Sequence, residues 1–184
     1  MLYLRELAAK KFNVSTLSIN LDPSAIEKIK ARGLNAILCR AEDLNMEGYL
    51  VDLFASFEMV EHFHDPAIFL HGPTQKTSCN RMVITVPYLK KSRTGLHHIR
   101  NRSDDITHAE NEHIFELSPV DWTLLMMHAG WKVIYGEIYY QYPRRLPVVS
   151  QLLSWYWRKT DYEGFWGGIL ERDTTFSDRY TDWE

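Results

Sequence analysis

The spacing of apolar positions along the chain changes several times, and each change marks an element. Leu4, Leu7, Ala8 and Phe12 recur at intervals of three and four, which puts them on one face of a helix over Met1–Phe12. Val14–Leu21 (VSTLSINL) is short and rich in branched residues, as a strand should be. It runs into Asp22-Pro23-Ser24, where Asp22 can cap a helix and Pro23 suits its first position. That helix carries Ile26 and Ile29 and stops at Gly33, a residue fitted to a left-handed terminator. Asn35–Cys39 (NAILC), Asp52–Phe57 (DLFASF) and Arg81–Val86 (RMVITV) read as further strands. Asp65-Pro66 opens a helix before the last of these. Strands alternating with helices at this pace predict βαβ units in a mostly parallel sheet, an α/β fold.

Between Pro87 and Glu112 the chain turns polar and loses its period, which predicts a long loop of the kind that often lines a site. The pattern resumes at Ser118-Pro119-Val120-Asp121, a capping box with proline at the first helical position. Its helix carries Leu124, Leu125 and Met127 and ends at Gly130. Trp131–Tyr140 (WKVIYGEIYY) alternates as an edge strand would, and is expected to pair antiparallel. Beyond it aromatics crowd together, among them Tyr142, Trp155, Trp157, Trp166, Phe176 and Trp183. The expected organisation is a main domain over 1–140 and an aromatic-rich extension over 141–184, with a short helix over Leu146–Trp157. Such an extension either packs back on the core or offers a surface to a second copy, making a homo-oligomer.

Composition narrows the classes. Of 184 residues 45% are hydrophobic and 24% charged, which fits a globular domain and argues against disorder. A formal charge of −3 leaves no basic footprint, so nucleic acid is not an expected partner. Cys39 and Cys79 make no CxxC pair and no disulfide framework, which favours reduced thiols. No apolar run approaches the roughly 18 residues of a membrane span, and no leader pattern opens the chain. A cytoplasmic location is the expectation.

Five segments then stand in a telling order. Asn20-Leu21-Asp22-Pro23-Ser24-Ala25-Ile26 is followed by Arg40-Ala41-Glu42-Asp43-Leu44 and by Phe57-Glu58-Met59-Val60-Glu61-His62. Later come His113-Ile114-Phe115-Glu116-Leu117-Ser118-Pro119 and Ala129-Gly130-Trp131-Lys132-Val133. From Val14 to Tyr139 the sequence resembles class I S-adenosylmethionine-dependent methyltransferases (type 11/type 23-like), the broad group that includes ubiquinone-pathway O-methyltransferases. The resemblance implies a Rossmann-like, mostly parallel sheet with helices on both faces and S-adenosylmethionine across the carboxyl ends of the strands. It places Asn20, with Leu21, at the ribose position, where the family usually has an acidic residue. Ala41 and Glu42 match the adenine edge, preceded by Arg40 where an acidic residue is common. Phe57 and Glu58 match the strand end that lines the methionine portion.

The resemblance also marks an absence. The family's first strand and its glycine-rich turn should precede the first helix, yet no glycine occurs before Gly33. The missing strand would be central, between those ending at Leu21 and Phe57, and the simplest expectation is a truncated reading of a longer methyltransferase.

Some resembling O-methyltransferases use a Glu-x-x-Glu-His element for a divalent metal such as Mg²⁺ or Mn²⁺. Two carboxylates and an imidazole on one turn can share a cation and lower the pKa of a bound hydroxyl. Glu58, Glu61 and His62 are the expected ligands, with His97, His98 or His113 able to complete the shell. His62 and His113 are the candidate bases, because imidazole titrates near neutral pH. Lys90–Asn101, with Arg93, His97, His98 and Arg100, could bind an anionic acceptor such as a sugar phosphate, although an exposed polar loop is the commoner use of such a run. The expected activity is methyl transfer to oxygen on a small or carbohydrate-like acceptor. The alternative is a non-catalytic methyltransferase-like module that binds or scaffolds.

Overall fold

The computed structural model describes residues 11–108, 111–140, 152–153, 155–156 and 164–183. The chain divides into two compact units, Met1–Asn45 and Met46–Glu184.

In the first unit β1 (Leu17–Asn20) pairs in parallel with β2 (Asn35–Leu38), Leu17 opposite Asn35 and Asn20 opposite Leu38. Between them runs α1 (Pro23–Lys30). Asp22 caps it as expected, its Oδ1 accepting from the Ser24 N–H at 2.8 Å, and Pro23 takes the first turn. Ile26 and Ile29 on α1 pack with Ala36 of β2 and with Leu34. Gly33 lies at φ +74°, where an L side chain would be strained. The expected helix over Met1–Phe12 falls largely outside the described residues; Lys11 and Phe12 are helical.

The second unit holds a four-stranded sheet in the order β3 (Phe54–Phe57), β4 (Arg81–Pro87), β8 (Gly164–Arg172), β7 (Trp131–Tyr140). β3 and β4 are parallel, whereas β8 runs antiparallel to both of its neighbours. Among the described residues parallel pairing is thus confined to β1/β2 and β3/β4, and β7 is the antiparallel edge that its alternation suggests. α2 (Pro66–Lys76) is capped by Asp65, whose Oδ1 accepts from Ile68 N–H at 2.9 Å. α4 (Pro119–His128) is capped by Ser118, whose Oγ accepts from Asp121 N–H at 3.3 Å. The core gathers Val60, Leu70, Met82, Ile84, Val86, Trp122, Met126, Trp131 and Leu170. Met82, Ile84 and Val86 alternate along β4 in the period of two that buries one face. Trp131 donates its indole N–H to the Leu70 carbonyl at 2.7 Å, so the one polar atom of that ring is satisfied inside the core.

Two expectations need correcting. The sequence reading assigns no strand beyond Tyr140, but β8 lies between β4 and β7 and bonds to both. Its glycines hide it from a pattern reading, and Gly168 makes room for an indole: a Cβ there would meet the Trp166 ring at 3.0 Å, as would one on Gly136 of the neighbouring β7 at 3.1 Å. The Pro87–Glu112 stretch is not wholly irregular either. It contains β5 (Arg93–Thr94), which pairs antiparallel with β6 (Phe115–Glu116), and one helical turn, α3 (His97–Arg100). The expected Leu146–Trp157 helix lies largely outside the described residues.

Candidate functional site

The site begins where β3 ends. Glu58 follows Phe57 at φ +49°, a left-handed conformation that costs a non-glycine residue about 1 kcal/mol. Its N–H donates to the Thr85 carbonyl at 3.0 Å, which ties the kink to β4. Burial raises the Glu58 carboxyl above its ordinary range, and a side-chain hydrogen bond with Thr85 opposes the rise. A single 3-10 turn over Val60–His62 then swings the next two side chains inward.

Glu61 on that turn is fully buried, and neither of its carboxylate oxygens has a hydrogen-bond partner. Burial, and secondarily the Glu58 charge, push its pKa up to about 8. Two further unpartnered buried atoms, Ser56 Oγ and Glu58 Oε1, lie on the same strand end. The next residue, His62, sits with Nδ1 at 3.0 Å from the Glu112 carbonyl oxygen. A carbonyl only accepts, so Nδ1 carries the proton and Nε2 bears the lone pair in the neutral ring. That Nε2 lies 3.8 Å from Glu61 Oε1.

The third group, His113, comes from a distant segment of the chain, and a short ladder delivers it. Ile114 N–H donates to the Glu61 carbonyl at 2.9 Å, while Leu96 and Gly95 N–H donate to the His113 and Ile114 carbonyls at 2.8 and 3.0 Å. A Cβ on Gly95 would stand 1.9 Å from the His113 carbonyl oxygen, so the two backbones can approach this closely only at glycine. The His113 ring meets His62 edge-on with centroids 4.8 Å apart. Its pKa is lowered, first by burial and then by repulsion from His62. On its other side His113 Nδ1 is 3.5 Å from Glu116 Oε1. Glu116 in turn holds Arg93 Nε, and His97 Nε2 at 2.9 Å. Burial alone would raise the Glu116 carboxyl, but these two partners outweigh it and leave the group more acidic than usual.

Ligand-type atoms of Glu61, His62 and His113 all lie within 4.8 Å of one another, and those of His97, His113 and Glu116 do the same. The first set offers one carboxylate and two imidazoles, a donor set that suits a divalent cation. It differs from the expected Glu58–Glu61–His62 trio at one member. Glu58 is turned by its left-handed backbone toward Thr85, and β5–β6 brings in His113 instead. Glu116 escaped the sequence reading as a member of the site, because a two-residue ladder leaves no periodic trace, and Arg93, expected to bind an anionic acceptor, holds Glu116 instead.

The remaining candidates stand at strand ends of the first unit. Asn20 closes β1, and its Oδ1 accepts from Asp22 N–H at 2.8 Å. Leu21 beside it is exposed. Ala41 and Glu42 follow β2, where Glu42 pairs with the Arg40 guanidinium at 2.8 Å.

No family model and no curated protein sequence matches the chain. Solved structures do. An S-adenosylmethionine dependent methyltransferase from Mesorhizobium loti superposes with a TM-score of 0.60 at 11% identity, over 86% of this chain and 80% of that one. An O-methyltransferase from a trans-AT PKS multienzyme of Brevibacillus brevis, in complex with S-adenosyl-L-homocysteine, gives 0.59 at 9% identity, over 94% of this chain and 64% of that one. The chain has the fold of the S-adenosylmethionine-dependent methyltransferases. That methyltransferase fold is not tied to one reaction, since the [4+2]-cyclase SpnF also matches, with a TM-score of 0.58 at 9% identity over 87% of this chain and 67% of that one. Among the described residues no helix is long and apolar enough to cross a membrane.

Proposed function

We propose that the chain belongs to an S-adenosylmethionine-dependent O-methyltransferase in which Glu61, His62 and His113 hold a divalent cation, Mg²⁺ or Mn²⁺, against the acceptor hydroxyl of a small molecule. The observation that carries this reading is Glu61: a fully buried carboxyl group with an oxygen within 4.8 Å of two imidazole nitrogens. A bound cation supplies the positive charge that this carboxylate lacks and makes a hydroxyl more acidic. His62 is pre-set for the role, because the Glu112 carbonyl fixes its proton on Nδ1 and so aims a lone pair from Nε2. Without an ion, the neutral nitrogens of His62 and His113 are the atoms that could take the hydroxyl proton. The metal assignment rests on this geometry and on the resemblance to metal-using O-methyltransferases.

For the cofactor the reading assigns Asn20 and Leu21 to the ribose, Ala41 and Glu42 to the adenine edge, and Phe57 and Glu58 to the methionine portion. An amide at Asn20 can accept one ribose hydroxyl bond where a carboxylate would accept two. Weak cofactor binding is therefore expected. S-adenosylmethionine supplies the methyl group, and in-line transfer runs largely on proximity and orientation.

The amide at Asn20, with Glu42 already paired to Arg40, favours the second reading of a non-catalytic binding module. Calorimetry separates the two. Saturable one-to-one heat with S-adenosylhomocysteine, and a Mn²⁺ site lost in Glu61→Gln, is the result expected of the enzyme. Absence of heat at millimolar S-adenosylhomocysteine would overturn it in favour of the module.

A further inference from the structure

The second donor set, His97, His113 and Glu116, has a spacing of its own. His97 on α3 brings Nε2 to 2.9 Å from Glu116 Oε1, and His113 brings Nδ1 to 3.5 Å from the same oxygen. One ligand atom from each residue lies within 4.8 Å of the other two. Zn²⁺ holds histidine nitrogen at about 2.0–2.1 Å and carboxylate oxygen at about 2.0–2.2 Å, almost always in a tetrahedron. Neighbouring donors around such an ion stand about 3.4 Å apart by that geometry. The two separations on Glu116 Oε1 fall on either side of this value, so small side-chain shifts would seat the ion.

The surroundings fit the same role. Arg93 Nε holds the other carboxylate oxygen, Oε2, which fixes Glu116 and leaves Oε1 facing the two rings. A ligating carboxylate is commonly supported by such an outer hydrogen bond. The support is set by the backbone, because Arg93 and Glu116 are register partners in the β5–β6 ladder. The side chain of Glu116 is 6% exposed, whereas those of His97 and His113 are 42% and 33% exposed. An ion here is gripped by a buried oxygen and reached from solvent past the rings, which leaves a fourth position for water.

We propose that His97, His113 and Glu116 form a Zn²⁺ site separate from the Glu61 set, and that filling it withdraws His113 from that set. A neutral imidazole has one lone pair, so His113 ligates one ion at a time. Zn²⁺ at the outer site therefore opposes a cation at Glu61 and His62. The opposition rests on the reading of Glu61, His62 and His113 as a cation site; the Zn²⁺ site itself does not.

Calorimetry on the full chain tests both parts. Zn²⁺ should bind one-to-one, and His97→Gln should weaken it at least about tenfold while leaving Mn²⁺ affinity unchanged. Glu61→Gln should keep its Zn²⁺ affinity, and Zn²⁺ should lower the affinity of the unaltered chain for Mn²⁺. Co²⁺ used in place of Zn²⁺ should show the intense visible absorption of a four-coordinate ion, a signature of ligation that folding alone does not give. A weak six-coordinate spectrum, no Zn²⁺ heat, or equal Zn²⁺ affinity in His97→Gln would each overturn the site. Zn²⁺ and Mn²⁺ binding together at undiminished affinity would overturn the sharing of His113. Zn²⁺ binding as expected in a chain with no Mn²⁺ site would overturn the cation-dependent transferase reading and leave the outer site standing.

Discussion

A carboxyl group without solvent or donors destabilises a fold unless it keeps its proton, and Glu61 is placed to show this directly. Its folded-state pKa of about 8 stands above the ordinary 4.5 of an unfolded glutamate. Between those values the folded chain retains a proton that the unfolded chain has released, so stability is greatest below about pH 4.5 and falls as pH rises toward 8. In chelator-treated protein the melting temperature should therefore drop from pH 5 to pH 8. Glu61→Gln, which cannot ionise, should flatten that profile, and an unchanged slope in the variant would refute the assignment. Much at this scale was legible beforehand: Glu61, His62 and His113 all stand out in the sequence as residue types able to ligate or to move a proton. Glu58 does not join them because its backbone turns left-handed, and nothing in the letters around it announces that turn.

Among the elements, caps are the most readable parts because they are local. Asp22, Asp65 and Ser118 each bond an N–H two or three residues ahead, and proline follows each one. Asp22→Ala and Ser118→Ala should each lower stability by about 1 kcal/mol in denaturant titrations. The β5–β6 ladder is the opposite case. With two residues on each side it carries no period, and it exists because Gly95 lets one backbone lie against the His113 carbonyl. Gly95→Ala would place a methyl 1.9 Å from that oxygen, so the ladder must part. The expected outcome is a Mn²⁺ affinity reduced at least tenfold, by calorimetry, in a chain whose helical circular dichroism is retained; unchanged affinity would show that the ladder does not position His113.

Across the whole molecule the decisive element is β8, which gives hydrogen bonds to β4 on one side and β7 on the other. Ending the chain at Tyr140 would expose both ladders and uncover Trp131, Met82 and Ile84, so that version should lose cooperative unfolding and bind hydrophobic dye. A cooperative melt close to that of the full chain would mean β8 is dispensable. The sequence could not disclose this strand, because Gly164, Gly167 and Gly168 break the alternation by which strands are recognised, and only the tertiary structure shows that Gly168 makes room for the Trp166 ring and Gly167 for that of Tyr139. What the sequence determined by itself was whatever depends on near neighbours: the alternation of β4 and β7, the capped starts of three helices, the glycine stops at 33 and 130, and the chemistry available at Glu61, His62 and His113. What only the tertiary structure decided was which of those groups meet. Bringing His113 to Glu61 requires a backbone approach across dozens of residues, and hydrogen bonds between distant segments leave no pattern in either segment alone.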